Sequence, residues 1–135
     1  MKHPIDSEQR ENLLVFRLSG ELNSYNLDAL KHELSKKVRE AKIYRVLINL
    51  AQVEYVTSKD LGVFVQVFHF LQKERKENEV FDEPVLAFCN LEPFVQDVMA
   101  MTRLETIFRV FDTEEEAIEA LSKHFEPPPS RLDSE

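Results

Sequence analysis

Residues 53–71 read VEYVTSKDLGVFVQVFHFL, and we expect the rest of the chain to be arranged around this stretch. It follows the apolar run RVLINL of residues 45–50, turns at the adjacent hydroxyls of Thr57 and Ser58, and continues with helical periodicity. A strand end that leads into a helix start is where α/β proteins often place functional residues. The corner has three candidate roles. It could take part in catalysis, it could receive a phosphate, or it could only cap the helix.

The flanking sequence predicts alternating strands and helices. Strand-like runs occupy residues 13–18, 43–50, 85–89 and 107–111, with a weaker one around Ile5. Helical patterns occupy residues 27–41, 90–102 and 113–125, in addition to the helix after the corner. Candidate N-caps of the first helix are Asn23, Ser24 and Asn26. Residues 73–83 are predicted to form a charged exit and a surface loop.

This order of elements predicts an α/β fold. Strands separated by crossover helices indicate a largely parallel sheet, and an N-terminal hairpin is the expected antiparallel element. We expect a four- to five-stranded mixed, largely parallel sheet with about four helices. The length of 135 residues suits one domain, residues 1–125, followed by a proline-rich, charged and disordered tail at residues 126–135.

Composition limits the cellular compartments and the classes of binding partner that we expect for this chain. The net charge of -8 argues against nucleic acid or an anionic membrane as partner. Cys89 is the single cysteine and lies in the strand-like VLAFC, which predicts a buried thiol in a reducing cytoplasm. The longest apolar-leaning run, residues 61–72, is too short to span a bilayer, and residues 1–12 carry no signal-peptide core. We expect a cytoplasmic protein without membrane insertion, and an oligomer is compatible with the sequence.

Residues that could support catalysis are sparse. The two glycines, Gly20 and Gly62, are too far apart to build a phosphate loop or a nucleophile elbow. The four histidines lack metal-ligand spacing, and Ser58 has no nearby base. We therefore expect no enzymatic activity, catalytic residue, metal or cofactor, and an enzyme or small-ligand binder is the least favoured hypothesis.

The helix after the corner is apolar over roughly 220° of its circumference when placed at 100° per residue. Its expected core-facing stripe consists of Leu61, Phe64, Val65, Phe68 and Leu71. A second stripe on one flank consists of Val63, Val67 and Phe70. Either neighbouring helices cover this second stripe, or it forms an exposed patch for a protein partner.

The two hydroxyls of the corner have two interpretations. Thr57 can cap the helix with Asp60 near the third helical position, and capping alone would explain both residues. A phosphoryl group on Ser58 would also suit the site, because free backbone N–H groups and the helix dipole favour an anion there. Lys59 would help to neutralise the phosphate, whereas Asp60 would oppose it.

Three segments occur in an order that is typical of one known family. LVFRLSGELN matches an opening strand and a Gly-Glu-Leu-Asp turn at Gly20, Glu21 and Leu22. VLINLAQVEYVTSKDLGVF is similar to a strand followed by a serine-containing motif that ends in Gly-Leu-Gly. Residues 89–121 are similar to a strand, a helix ending near Thr-Gly-Leu, a short strand and Asp-x-Glu-Glu-Ala. Over about residues 12–122 the chain resembles STAS domains, the family of bacterial anti-sigma factor antagonists and sulfate-transporter C-terminal domains.

The resemblance implies a partner-switching protein. In that family the serine at the position of Ser58 is phosphorylated by a kinase that is also the anti-sigma factor. Only the unphosphorylated form binds that kinase and frees the sigma factor, and a serine phosphatase resets the switch. The implied phosphorylation site is Ser58, with Thr57 less favoured. The implied partner-binding residues are Asn23, Thr57, Ser58, Lys59, Asp60, Gly62, Val63 and Val67.

Four residues depart from the family pattern. Asn23 and Thr57 stand where Asp is common, and Asp60 and Arg103 stand where Gly is usual. Asp60, two residues from Ser58, would either disfavour phosphorylation or hold the corner in a phosphorylated-like state. The alternative function is therefore a non-phosphorylated STAS interaction module in a larger signalling or transporter-associated complex.

Overall fold

The structure is a computed structural model that describes residues 5–20, 22–78 and 85–123. The predicted disordered tail and residues 79–83 of the predicted loop lie outside the described residues. Within them, the chain forms β1 (Ile5–Arg10), β2 (Leu13–Ser19), α1 (Ser24–Ala41), β3 (Arg45–Gln52), α2 (Ser58–Glu77), β4 (Val85–Cys89), α3 (Pro93–Met101), a 3₁₀ turn (Leu104–Thr106), β5 (Arg109–Phe111) and α4 (Glu114–Lys123).

The five strands form one sheet in the order β1-β2-β3-β4-β5. The first pair, β1 and β2, is antiparallel, and every later pair is parallel. This confirms the mixed, largely parallel sheet and the N-terminal hairpin, including the strand around Ile5. Because the later strands all run the same way, their carboxyl ends meet at one edge of the sheet, where the β3–α2 corner also lies.

Helices cover both faces of the sheet. Alternate residues of each strand point to opposite faces, so Leu14 and Phe16 join the larger core with α1, α2 and α3. Leu13 and Val15 join a smaller core with α4. The central strand β3 contributes Val46 and Ile48 to the first core and Leu47 to the second. Strand β3 is therefore buried on both faces, as is usual for a central strand of a parallel sheet.

The helix after the corner is longer than the sequence pattern suggested. Residues 73–77 were expected to leave it as a charged surface segment, but α2 continues to Glu77. Its apolar periodicity ends earlier, whereas lysine, arginine and glutamate are good helix formers that extend a helix without burial. Contacts with α1 support this extension, because Arg39 Nη2 lies 3.2 Å from Glu74 Oε2.

Neighbouring elements cover part of the second apolar stripe of α2. Val67 is 4% exposed and belongs to the larger core, while Val63 and Phe70 are half-buried against it. The Arg39 guanidinium lies over the Phe70 ring, 5.2 Å from its centroid. The expectation that Val67 presents a surface to a partner is therefore wrong in this structure, and only Val63 of the two proposed contacts stays accessible.

The C-terminal third follows the predicted order with later element starts. Strand β5 begins at Arg109 rather than at residue 107. The N–H groups of Ile107 and Phe108 donate to the carbonyl of Leu104 in the preceding 3₁₀ turn, which removes them from the sheet. Arg103 adopts a left-handed conformation with φ of 63°, a region that glycine adopts more readily than other residues.

Candidate docking site at the carboxyl end of the sheet

The corner between β3 and α2 is closed by a reciprocal capping box. Thr57 Oγ1 accepts from the Asp60 N–H at 3.1 Å, and Asp60 Oδ2 accepts from the Thr57 N–H at 3.0 Å. The Leu61 N–H donates to the Thr57 carbonyl at 3.1 Å and begins the regular helical pattern. The capping interpretation of Thr57 and Asp60 is thus confirmed, and these bonds fix the backbone that carries Ser58.

Ser58 occupies the first helical position of α2 and is exposed, as is Lys59. Asp60 and Leu61 use their N–H groups in the capping and helical bonds. Within the described part of the chain, the N–H groups of Ser58 and Lys59 have no acceptor. The corner therefore presents a hydroxyl, two backbone donors and the positive end of a 20-residue helix to solvent.

Gly62 lies one turn after Ser58, on the same face of α2. A Cβ atom added to Gly62 would meet no heavy atom within 4 Å. The fold therefore does not require glycine at this position, even though glycine in a helix interior costs about 1 kcal/mol relative to alanine. The missing side chain leaves open space beside the exposed hydroxyl.

The start of α1 lies beside the start of α2. The Lys31 Nζ donates to Gln66 Oε1 at 3.3 Å, and Arg39 Nη2 reaches Glu74 Oε2, so both pairs are 35 residues apart. A constant offset of this kind means that the two helices run side by side in the same direction. The same offset of 35 residues, followed about two turns towards the helix starts, pairs Asn23 with Ser58.

Of the three candidate N-caps of α1, Asn23 is the one that the structure uses. Its Oδ1 accepts from the Asn26 N–H at 2.8 Å, and its carbonyl accepts from the Leu27 N–H at 2.9 Å. Asparagine and aspartate cap helices about equally well, so Asn23 supplies the cap without a charge. The constant offset between the helices therefore puts Asn23 at the same end of the α1–α2 pair as Ser58 and Gly62.

A stacked aromatic pair near the corner was missed by sequence reasoning. Tyr55 precedes the corner and Phe94 lies in the first turn of α3, and their ring centroids are 5.3 Å apart with an interplanar angle of 10°. Both rings face solvent, at 60% and 46% exposure. The two residues belong to segments that are distant in sequence, so no local pattern indicates that they meet.

A polar network on the opposite face of the sheet was also missed. Glu114 accepts from Arg17 Nε at 3.0 Å, from Arg17 Nη2 at 2.8 Å and from Asn49 Nδ2 at 2.8 Å. The hydrogen bonds from Arg17 hold the pKa of Glu114 below its usual range. This network attaches the start of α4 to β2 and β3 and lies apart from the α2 corner.

Cys89 ends β4 and is fully buried, as predicted. Burial raises the pKa of its thiol to about 12, so the thiol is neutral at physiological pH. Among the described residues, no group of His, Cys, Asp and Glu could hold a metal ion. Within the same ranges, no helix is both long and apolar enough to cross a bilayer.

Comparisons with known proteins agree with this architecture. The STAS domain family matches residues 4–117 of the chain. The anti-sigma F factor antagonist of Paenibacillus polymyxa is 23% identical over 121 residues, which cover 90% of this chain and 97% of that protein. The anti-sigma factor antagonist SpoIIAA in its unphosphorylated form has a TM-score of 0.66 at 20% identity, covering 90% of this chain and 99% of its own.

The Bacillus cell fate determinant SpoIIAA in its phosphorylated form has a TM-score of 0.61 at 19% identity, covering 87% of this chain and 98% of its own. At these identities the solved structures establish a shared fold. The family match spans most of the chain, including the hairpin, the corner and the start of α4. The chain therefore belongs to the STAS domain family.

Proposed function

We propose that this chain is an anti-sigma factor antagonist that binds an anti-sigma factor with serine kinase activity and is released from it by phosphorylation of Ser58. The observation that carries the proposal is the exposed Ser58 hydroxyl at the start of α2, level with Asn23 and one turn before Gly62. The name of the Paenibacillus relative and the two SpoIIAA states support the same assignment. A serine phosphatase would restore the binding form.

The contact surface comprises the start of α1 and the first turns of α2. Its proposed members are Asn23, Thr57, Ser58, Lys59, Asp60, Gly62 and Val63. Gly62 lets a partner approach the α2 backbone closely, and the half-buried Val63 supplies apolar area beside it. Val67 is not a member, because the core already covers it.

Phosphorylation would act on this surface through charge. A phosphoserine adds close to two negative charges at neutral pH. When a partner covers the corner, those charges lose water, and an uncompensated buried charge costs roughly 3–5 kcal/mol. We therefore expect phosphorylation of Ser58 to weaken partner binding by at least about a hundredfold.

The corner can carry a phosphate without unfolding. The N–H groups of Ser58 and Lys59 and the Lys59 side chain are available to a phosphate at the start of α2. Asp60 opposes it, but its carboxylate is already bonded to the Thr57 N–H. Asp60 therefore acts as part of the cap in both states.

The test is phosphorylation of the purified chain by a serine kinase of the anti-sigma class with ATP, followed by mass-spectrometric site mapping. We expect one phosphate on Ser58, and calorimetry with the same kinase should show tight binding before phosphorylation and weak binding after it. Ser58→Ala should bind and resist phosphorylation, and Ser58→Asp should bind weakly.

Ser58→Asn is the matched control for Ser58→Asp, because the two side chains have the same shape and differ in charge. If Asp and Asn weaken binding equally, shape rather than charge governs the corner. If neither Ser58→Ala nor Ser58→Asp changes binding and no phosphate is found on Ser58 or Thr57, the chain is instead a constitutive STAS interaction module. The observation that favours this second function is the Asp60 carboxylate near Ser58, because its negative charge opposes a phosphate there.

A further inference from the structure

The stacked pair of Tyr55 and Phe94 exposes more aromatic surface than folding explains. Exposed apolar residues scattered singly are ordinary, but these two rings come from separate elements and stack at 5.3 Å in the open. In a stacked pair each ring covers one face of the other, so the opposite face and the edges of each ring can remain open to solvent. The pair therefore forms a flat aromatic platform.

Buried neighbours hold the platform in place. In the loop after β3, Val53 and Val56 are buried on either side of Tyr55, so the loop is anchored while the tyrosine projects outward. Phe94 is followed by the fully buried Val95 and preceded by Pro93 at the first position of α3. A rigidly presented aromatic side chain loses little entropy when it binds a partner.

Three acidic residues lie close to the two rings in the sequence. Glu54 adjoins Tyr55 in the chain, and Glu92 precedes the turn that carries Phe94. Asp97 lies three residues after Phe94, hence on the same face of α3. Within the described ranges, none of these three carboxylates forms an ion pair with a lysine or an arginine.

We propose that the Tyr55–Phe94 platform binds an arginine side chain of a protein partner. A guanidinium is planar, stacks on aromatic faces and pairs with carboxylates through two parallel hydrogen bonds. The platform offers an outer ring face, and the three acidic residues near it in the sequence form no ion pair with a lysine or arginine of the described residues. The net charge of -8 also attracts a cation. A lysine ammonium is more strongly hydrated and cannot extend a stack.

The inference extends the proposed docking surface and rests on the proposed function only for the identity of the partner. Tyr55 lies three residues before Ser58, and Phe94 follows β4, so the platform shares the carboxyl edge of the sheet with the corner. It widens the docking surface from α1 and α2 to the start of α3.

The test is aromatic-region NMR of the full chain titrated with Gly-Arg-Gly amide and, separately, with Gly-Lys-Gly amide at equal ionic strength. We expect the Tyr55 and Phe94 ring signals to shift with the arginine peptide and to shift less with the lysine peptide. Tyr25 is the internal control, because it is 80% exposed and forms no ring contact in the described structure.

Phe94→Leu and Tyr55→Leu should each weaken binding of the arginine peptide about two- to fivefold, the range of an exposed cation–π contact. Unchanged amide spectra elsewhere would show that the variants fold. Equal shifts with both peptides, shifts centred on Tyr25, no shift with either peptide, or no effect of Phe94→Leu would each overturn the proposal. Because the peptides need neither kinase nor phosphate, this result is independent of whether Ser58 is a switch.

Discussion

At the level of single residues, the two glycines of the chain occupy opposite kinds of position. Gly20 has φ of +87° in the turn after β2, a conformation that side chains other than glycine adopt only with strain. Gly62 has an ordinary helical conformation and open space where a Cβ would lie. Gly20 is therefore required by the backbone conformation, whereas neither backbone conformation nor packing requires glycine at position 62.

We therefore expect Gly62→Ala to increase the free energy of unfolding by up to about 1 kcal/mol while weakening binding to the proposed anti-sigma partner. The added methyl improves helix propensity and contacts nothing in the chain, but it fills the space beside Ser58. Urea denaturation measures the first effect and calorimetry the second.

Gly20→Ala is the matched control, and it should lower the free energy of unfolding by about 1–2 kcal/mol because of its positive φ. A Gly62→Ala variant that binds as tightly as the parent would place the partner elsewhere. A variant that loses stability would show that α2 needs glycine for a packing reason.

At the level of elements, Glu114 joins α4 to the sheet through its bonds to Arg17 and Asn49. Its side chain is only 20% exposed, and the pair with Arg17 is bidentate. Because the Arg17 bonds lower the pKa of Glu114, the stability that they contribute is present above the unfolded-state pKa near 4.5. It is lost as the pH falls further, through the folded-state pKa.

Glu114→Gln should therefore lower the free energy of unfolding by roughly 1–3 kcal/mol at pH 7. The difference from the parent protein should shrink as the pH is lowered below about 4.5, and urea denaturation across pH 3–7 measures it. Glu115→Gln, at an exposed neighbouring position, is the control and should have little effect. If Glu114→Gln lowers the free energy of unfolding by the same amount across this pH range, then the shape of the side chain rather than its charge attaches α4 to the sheet.

Elements that carry a local pattern were predictable, and contacts between distant elements were not. The span of β4, the capping box of α2 and the hairpin follow from apolar runs and turn residues near each other in the sequence. The covering of Val67 by the core and the stacking of Tyr55 on Phe94 depend on how whole helices and loops are placed. Periodicity showed that α2 has an excess of apolar surface, but it could not show which neighbour covers it.

At the level of the whole molecule, Cys89 reports on opening of the sheet. Its thiol is fully buried between the sheet and α4, and burial raises its pKa to about 12. We expect reaction with an aromatic disulfide reagent at pH 8 to be at least about a thousandfold slower in the native chain than in urea, because labelling requires the structure to open.

Met101→Cys in a Cys89→Ala background is the control, because Met101 is 80% exposed, and it should react rapidly without unfolding. Rapid reaction of Cys89 with native circular dichroism retained would contradict the prediction and indicate that α4 separates from the sheet locally.

The strand order has a consequence for how the chain is made. Each strand of the sheet lies beside the strand that precedes it in the sequence. During synthesis on the ribosome, the neighbour of each emerging strand has therefore already left the exit tunnel, and no strand must insert between two others. The sheet can grow from the hairpin towards β5 as translation proceeds, which limits the time that an incomplete chain exposes an unpaired edge to other nascent chains.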